Sequence, residues 1–219
     1  MFKFVIEKRL IRLSKIYKKY IMSSNTISSI ASNFLSDLKT QTSDSHKKLE
    51  ELPVSMSIMS PEMKVEDYTY YLSLMHDVHN DTEGHVFPLF SDLVDDLEKR
   101  RKKHLIENDL LFLNSKKNNS EKVFQKEEIS VPFALGIFYV VEGSTLGGRF
   151  ILKNVSKVLQ LSAEEGVSYF NGYGDKTGSF WKAFLNFVEE YEQEYNCGEE
   201  IIEGAIFAFD SIYKHFDRR

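Results

Sequence analysis

Several residue types that define common protein classes are scarce in this chain of 219 residues. A single cysteine, Cys197, excludes an internal disulfide and a cysteine-cluster metal site. Only four prolines and eleven glycines are present, so long helices meet few breakers. No apolar run approaches the roughly 20 residues of a membrane span, and no uninterrupted apolar stretch near the start indicates a signal peptide. We therefore expect a cytoplasmic protein without a transmembrane segment.

The charge is small overall but uneven along the chain. The net charge of −5 gives no electrostatic reason to expect nucleic acid as a partner. Residues 1–20 contain seven basic side chains and one acidic one, so this segment is +6 and the remaining chain is −11. Its apolar spacing allows a helix that contacts a membrane surface through residues 1–21. We favour a dispensable basic extension over residues 1–24, followed by one helical domain over residues 25–219.

Apolar residues recur at helical spacing through most of the chain. A first core helix is predicted over residues 28–51, and Ser60-Pro61-Glu62 is typical of the start of a second, with serine as the cap. That second helix is expected to continue to Pro88. Pro132 opens the most apolar segment, and two further helices complete the chain. Since neither an internal repeat nor a convincing pair of strands is found, the sequence predicts a single all-α domain.

The first predicted core helix has a histidine among its apolar residues. Five residues form one stripe at spacings of three and four: Leu35, Leu38, Thr42, His46 and Leu49. His46 is therefore expected to point inward. Glu50, one turn later, can accept a hydrogen bond from the imidazole, as carboxylates behind metal-bound histidines do. A single inward histidine is more often a core residue than a ligand, so both interpretations stand on this helix alone.

The most apolar segment is rich in glycine, at positions 136, 143, 147 and 148. Each glycine inside a helix costs about 0.5–1 kcal/mol relative to alanine, so this cluster serves something other than helix stability. Gly136, Val140, Gly143 and Gly147 form one stripe, which leaves a nearly bare backbone face. Such a face admits either a second helix or a flat ligand at close range. Both interpretations are open.

Three segments, in this order, resemble the haem oxygenase family and most closely its bacterial, biliverdin-producing branch. They are LKTQTSDSHKKLE, FYVVEGSTLGGRFI and YFNGYGDKTGSFWKAF, and the resemblance covers roughly residues 30–216. It implies a helical bundle in which haem lies between a proximal helix and a kinked distal helix. It also implies cleavage of haem to biliverdin, carbon monoxide and ferrous iron, with O2 as co-substrate. The electrons would come from a ferredoxin- or flavoprotein-type reductase.

The resemblance implies roles for individual residues. The pattern of Thr42, His46 and Glu50 is similar to the proximal helix, so His46 is expected to bind the haem iron. Lys39 lies two turns before His46, roughly 10 Å along the axis, which suits a partner for a haem propionate. The expected catalytic residues are His46, Gly143, Ser144 and Gly147. The expected haem-binding residues are Lys39, Thr42, Glu50, Gly143, Gly147, Gly148, Arg149, Lys182 and Phe209.

One position departs from the animal-type members of the family. Those members have an aspartate directly after the first distal glycine, where it organises water. Ser144 occupies this position here, as in many bacterial members. Two candidates for ordering the distal water remain, Ser144 and an arginine such as Arg149.

Rival interpretations concern other sites and other uses of the same fold. His76, His79 and Glu83 are spaced closely enough for a metal site, but the chain lacks the E-x-x-H and H-E-x-x-H motifs. It also lacks the G-x-S-x-G motif of a hydrolase.

The serious alternative is a haem carrier or sensor without turnover, which the departure at Ser144 and the basic extension keep open. A helical scaffold that binds no haem is the second alternative.

Overall fold

The computed structural model describes residues 34–218, and all regular secondary structure in this part is helical. The α-helices are α1 (Phe34–Glu50), α2 (Pro53–Ser57), α3 (Val65–Asp81), α4 (Lys103–Phe112), α5 (Val131–Leu159), α6 (Ser168–Asn171), α7 (Thr177–Tyr195) and α8 (Gly198–Phe216). The predicted all-α domain is confirmed. The expected extension over residues 1–24 and its boundary lie outside the described residues and stay predictions.

The start of α3 differs from the sequence prediction, and local hydrogen bonds explain the difference. α3 begins at Val65 rather than at Pro61, because the Asp67 carboxylate accepts the backbone N–H of Lys64 at 3.0 Å. Ser60 instead accepts the N–H of Glu62 at 3.1 Å and so closes a local turn. The prediction of a helix start at Ser60 was therefore wrong by about one turn.

Beyond α3 the chain stays helical in irregular form. A π-helical turn covers Thr82–Val86, and 3-10 turns cover Phe87–Phe90 and Leu97–Arg100. Pro88 therefore lies within a 3-10 turn and does not end the helical run. Phe87 and Phe90 both contact the ring of Phe138 on α5, with centroids 4.9 and 5.5 Å apart. These contacts fix the irregular segment against the core.

α5 and α8 cross at very close range through two glycines. A Cβ atom built on Gly136 would overlap the carbonyl oxygen of Ile201, and one built on Gly204 would overlap the carbonyl oxygen of Phe133. Helix packing therefore accounts for Gly136, one member of the glycine stripe. α1 also packs on α8, so α8 supports both helices that carry the predicted site.

α5 is the one helix in the described part of the chain with the length and apolar composition of a membrane span. Its most apolar 18-residue window is 56% buried within the protein itself. That burial is the pattern of a central core helix.

Candidate functional site

His46 lies at the edge of the core rather than inside it. Leu38 and Thr42 on the same stripe are buried, but the His46 side chain is 57% exposed. The expectation that His46 points inward was therefore wrong. One side of its ring meets the buried ring of Phe209 on α8 edge to face, with centroids 5.6 Å apart. The imidazole is thus held on one side and accessible on the other, as a nitrogen that binds a ligand from outside must be.

Glu50 lies one turn after His46, as the sequence predicted. Its Oε1 atom is 3.6 Å from Nε2 of His46, within ion-pair range and longer than a hydrogen bond. Both side chains are exposed. Thr42, by contrast, turns its hydroxyl to its own helix and donates to the carbonyl of Leu38 at 2.7 Å. Because this hydrogen bond already uses the Thr42 hydroxyl, the side chain contributes to the site by packing.

The two predicted propionate partners are surface lysines on different helices. Lys39 on α1 and Lys182 on α7 are both exposed. Within residues 34–218, no carboxylate lies within 4 Å of either ammonium group. Each cation is therefore available to an anionic group from outside the chain.

The glycines of α5 differ in what lies next to them. A Cβ atom on Gly143 would lie 3.4 Å from Cη2 of Trp181 on α7, and one on Gly148 would lie 3.3 Å from the carbonyl oxygen of Phe170. A Cβ atom on Gly147 would meet no described atom within 4 Å. α5 continues as an uninterrupted α-helix through all three positions. Gly147 is therefore the glycine whose bare face opens outward.

Two large apolar side chains flank Gly147 on the outer face of α5. Leu146 is exposed, and Phe150 is 74% exposed. Sequence reasoning missed both as site residues, because their exposure follows from how α5 packs and not from a local motif. An open glycine between exposed apolar side chains suits a flat apolar ligand that covers them.

Ser144 and Arg149, the two candidates for ordering distal water, point to different surroundings. The Ser144 hydroxyl donates to the carbonyl of Val141 at 2.7 Å, and Ser144 and Tyr169 both line a small cavity behind α5. Arg149 is exposed, and its guanidinium lies 3.7 Å from the carboxylate of Asp175. Ser144 therefore connects to the protein interior, whereas Arg149 connects to another exposed side chain.

A buried ionic network fixes α5 immediately before Gly143. Glu142 accepts hydrogen bonds from Arg100 at 2.5 Å and from the hydroxyl of Tyr173 at 2.8 Å. The ammonium group of Lys102 lies 3.8 Å from the same carboxylate. Burial lowers the pKa of Lys102 to about 8, against the opposing effect of Glu142. Sequence reasoning missed Arg100 and Lys102, because no local motif links them to a glutamate about 40 positions away.

The histidines of the rival metal site have separate partners. His79 is buried, and its Nε2 atom shares a hydrogen bond with the hydroxyl of Tyr169 at 3.0 Å. Burial lowers the pKa of His79 to about 3, so this imidazole is neutral near pH 7. His76 pairs with Glu107 at 3.1 Å. Glu83 accepts two backbone N–H groups at the start of α4. The three residues therefore do not converge on one point.

Comparison with known proteins identifies one family. The sequence model described as heme oxygenase matches residues 32–218. The search of curated protein sequences found no match. Among solved structures, the NO- and CO-bound heme oxygenase of Neisseria meningitidis is 26% identical, with a TM-score of 0.69 over 84% of this chain and 92% of that one.

Two further structures show the same fold at lower identity. The heme oxygenase of Leptospira interrogans is 17% identical, with a TM-score of 0.73 over 86% of this chain and 100% of that one. A heme oxygenase of the cyanobacterium Synechocystis, solved in complex with heme, is 16% identical, with a TM-score of 0.64 over 85% of this chain and 91% of that one. At these identities the likeness concerns the fold alone.

Proposed function

The chain belongs to the haem oxygenase family, and we propose that it binds haem through His46 and cleaves it to biliverdin, carbon monoxide and ferrous iron. Haem when bound supplies the iron that activates O2 and is itself the substrate, so the oxidation chemistry belongs to the cofactor. The protein contributes binding, orientation and the polarity of the surroundings. O2 is the co-substrate, and the electrons come from an external ferredoxin- or flavoprotein-type donor.

The accessible imidazole of His46 is the observation that carries this proposal. It occupies the position of the proximal ligand in the family pattern, and its ring is steadied by the edge of Phe209. The His46 imidazole, carried on a regular helix, would hold the haem iron, which would supply the O2 chemistry. Glu50, 3.6 Å away, attracts the imidazole N–H and limits the rotation of the ring.

The outer face of α5 fits the opposite side of a haem. Gly147 lets a flat ring system approach the helix backbone, and Leu146 and Phe150 offer apolar surface beside it. A side chain at position 147 would occupy the open space beside the helix that the ring system would need.

The charges around these helices fit the acidic edge of a haem. Lys39 and Lys182 are exposed cations without a carboxylate partner in residues 34–218, and each can pair with a propionate. Such exposed pairs contribute little individually, typically about 0–1 kcal/mol. Their role is therefore to orient the haem rather than to supply most of its affinity.

An absorption time course of the hemin-loaded protein in air, with a reductant added, tests the proposal. We expect the Soret band to fall as a broad biliverdin band grows, and His46→Ala to weaken or abolish both hemin binding and turnover. His104→Ala removes an exposed histidine on α4 and serves as the matched control. Turnover that is unchanged in His46→Ala would contradict the assignment of His46.

A haem carrier or sensor is the second candidate, and Ser144 favours it. A serine here replaces a carboxylate that in animal-type members organises water, and its hydroxyl is already paired with Val141. The same time course separates the two functions. A stable Soret band that depends on His46 and persists under reductant and air would support a carrier or sensor and rule out turnover under these conditions.

A further inference from the structure

A second cavity lies where α2, the start of α3 and the end of α8 meet. Its volume is about 210 Å³, and an apolar cavity of roughly 150 Å³ in another protein is enough to hold benzene. The space therefore fits a compact organic molecule of about that size. The cavity is lined by Pro53, Val54, Ser57, Asp67, Tyr70, Phe216 and Asp217.

This cavity is separate from the proposed iron ligand. His46 contacts the ring of Phe209 on α8, whereas the cavity wall contains Phe216, two turns and roughly 10 Å further along the same helix. A tetrapyrrole is several times the size of benzene and carries two carboxylates, which Asp67 and Asp217 would repel. Neither haem nor biliverdin therefore fits this space.

The apolar part of the wall is preformed. Pro53 and Val54 belong to α2, and Phe216 is the last residue of α8. The Phe216 ring is buried and meets the ring of Tyr71 edge to face, with centroids 5.6 Å apart. A fixed aromatic ring beside two aliphatic side chains suits a flat apolar body.

The charged part of the wall is entirely negative. The Asp67 carboxylate accepts one backbone N–H, that of Lys64 at 3.0 Å. Within residues 34–218, no basic side chain forms an ion pair with Asp67 or Asp217, and the next residue, Arg218, pairs with Glu121 instead. The C-terminal end of the 19-residue helix α8 adds the partial negative charge of its dipole. These charges favour a cation that the described part of the chain does not supply.

The hydroxyl groups of the wall act in the same direction. The Ser57 hydroxyl donates its proton to the carbonyl of Val54 at 2.8 Å, so it can offer only lone pairs to a ligand. The carboxylates of Asp67 and Asp217 are likewise acceptors. A complementary ligand must therefore bring hydrogen-bond donors, as an ammonium, amidinium or guanidinium group does.

We propose that this cavity is a second ligand site, which binds a small organic cation. The apolar body of the ligand lies against Val54 and Phe216, and its cationic group donates hydrogen bonds to the carboxylates of Asp67 and Asp217. Asp217 and Pro53 are exposed at the rim, so the ligand enters from solvent. The site involves neither haem nor His46 and therefore does not depend on the proposed function.

Three probes of nearly the same shape test the preferred charge. Near pH 7 benzamidine is a cation, benzamide is neutral and benzoate is an anion. Equilibrium dialysis of the hemin-loaded full chain gives the Kd of each, and we expect benzamidine to bind about 5-fold or more tightly than benzamide and benzoate not to bind. The full chain without hemin should show the same order, which excludes binding at the iron. Equal affinities for the three probes, or no binding of benzamidine, would overturn the proposal.

Charge-removing variants test the two carboxylates. Asp67→Asn and Asp217→Asn should each weaken benzamidine binding by about 3–5-fold, and the double variant by about 10-fold or more, with benzamide binding unchanged. Asparagine at position 67 can still accept the N–H of Lys64, so α3 keeps its cap. Asp210→Asn removes an exposed carboxylate two turns before Asp217 on α8 and should bind benzamidine as wild type does. Equal Kd values for the double variant and Asp210→Asn would overturn the proposal.

Ser57→Leu tests the location of the site. The leucine side chain would fill part of the cavity, so we expect the variant to lose benzamidine binding, with circular dichroism showing that it is folded. A folded Ser57→Leu that binds benzamidine as wild type does would overturn the proposal. If this variant fails to fold, the aspartate variants decide the question alone. Absence of a His46-dependent Soret band would overturn the proposed function and leave the dialysis of the hemin-free chain unaffected.

Discussion

Arg100 donates a hydrogen bond to Glu142 at 2.5 Å, and both side chains are buried. Glu142 is the residue before Gly143, and Arg100 ends the 3-10 turn Leu97–Arg100. This single contact therefore joins the segment after α3 to α5 at the point where the bare helix face begins. Tyr173 donates a second hydrogen bond to the same carboxylate.

The first prediction concerns the stability of this network. Glu142→Leu leaves the buried Lys102 without its carboxylate partner and leaves Arg100 paired with Asp96 alone. We therefore expect a loss of about 3–5 kcal/mol in the free energy of unfolding. Urea denaturation followed by circular dichroism measures the change. Glu203→Leu removes an exposed glutamate from α8 and should change stability by less than about 0.5 kcal/mol. If the two variants are equally stable, the network makes no net contribution to the free energy of unfolding.

The second prediction compares two glycines of the same helix. Gly136→Ala places a methyl group against the backbone of α8 and should destabilise the protein by about 1–3 kcal/mol or more. Gly147→Ala meets no described atom, so we expect it to stabilise the apo protein by about 0.5–1 kcal/mol. Thermal unfolding of the two apo variants checks the difference in sign. A destabilised Gly147→Ala would mean that this position is packed in solution.

The same glycine gives a third prediction about function. Gly147→Leu should fold as well as wild type but lose most hemin turnover, because the side chain occupies the space next to the ring. Gly143→Leu is a poorer probe, since Trp181 lies only 3.4 Å from its Cβ position and the apo protein would itself be strained. Turnover close to wild type in a folded Gly147→Leu would exclude steric control at this position.

The sequence predicts much of the fold because helical periodicity and glycine patterns are local. The starts of α5 and α7 follow from Pro132 and from the glycine-rich break before Thr177, whereas both helices end at left-handed residues that are not glycine, Gln160 and Asn196. The order of the motifs indicates the family. The inward orientation of His46 was predicted wrongly. Its stripe is apolar on average, but the packing against α8 buries Leu38 and Thr42 fully and covers only one side of the imidazole.

Long-range pairing is what the sequence does not reveal. Lys102 and Ser144 are 42 positions apart, and neither belongs to a motif that includes the other. The small cavity that both line behind α5 exists because α4 and α5 both pack against the short helix α6. Likewise, only the fold shows that Phe150 is exposed beside Gly147.

The fourth prediction concerns the carboxylate next to the proposed iron ligand. Glu50→Gln removes the charge that attracts the His46 imidazole, so we expect hemin affinity to fall by about 10–100-fold. Hemin titration followed at the Soret band gives the Kd. Glu51→Gln, the adjacent exposed carboxylate that pairs with Lys47, is the matched control and should bind hemin as wild type does. If the two variants bind hemin with equal affinity, Glu50 does not contribute to haem binding.

The last prediction follows from the buried, neutral His79. Its pKa is lowered by burial from 6.5 to about 3, so below pH 6.5 the unfolded chain takes up a proton at this site that the folded protein does not. Stability should therefore fall as the pH decreases from about 6.5 towards 3, by up to about 1.4 kcal/mol per pH unit from this group. His79→Gln removes the titration, so its stability should depend less steeply on pH over this range, although it loses the hydrogen bond to Tyr169.

His104→Gln, at an exposed position on α4, should keep the wild-type slope. Urea denaturation at pH 5 and pH 7 measures both slopes, and a His79→Gln slope as steep as wild type would assign the acid sensitivity to other groups.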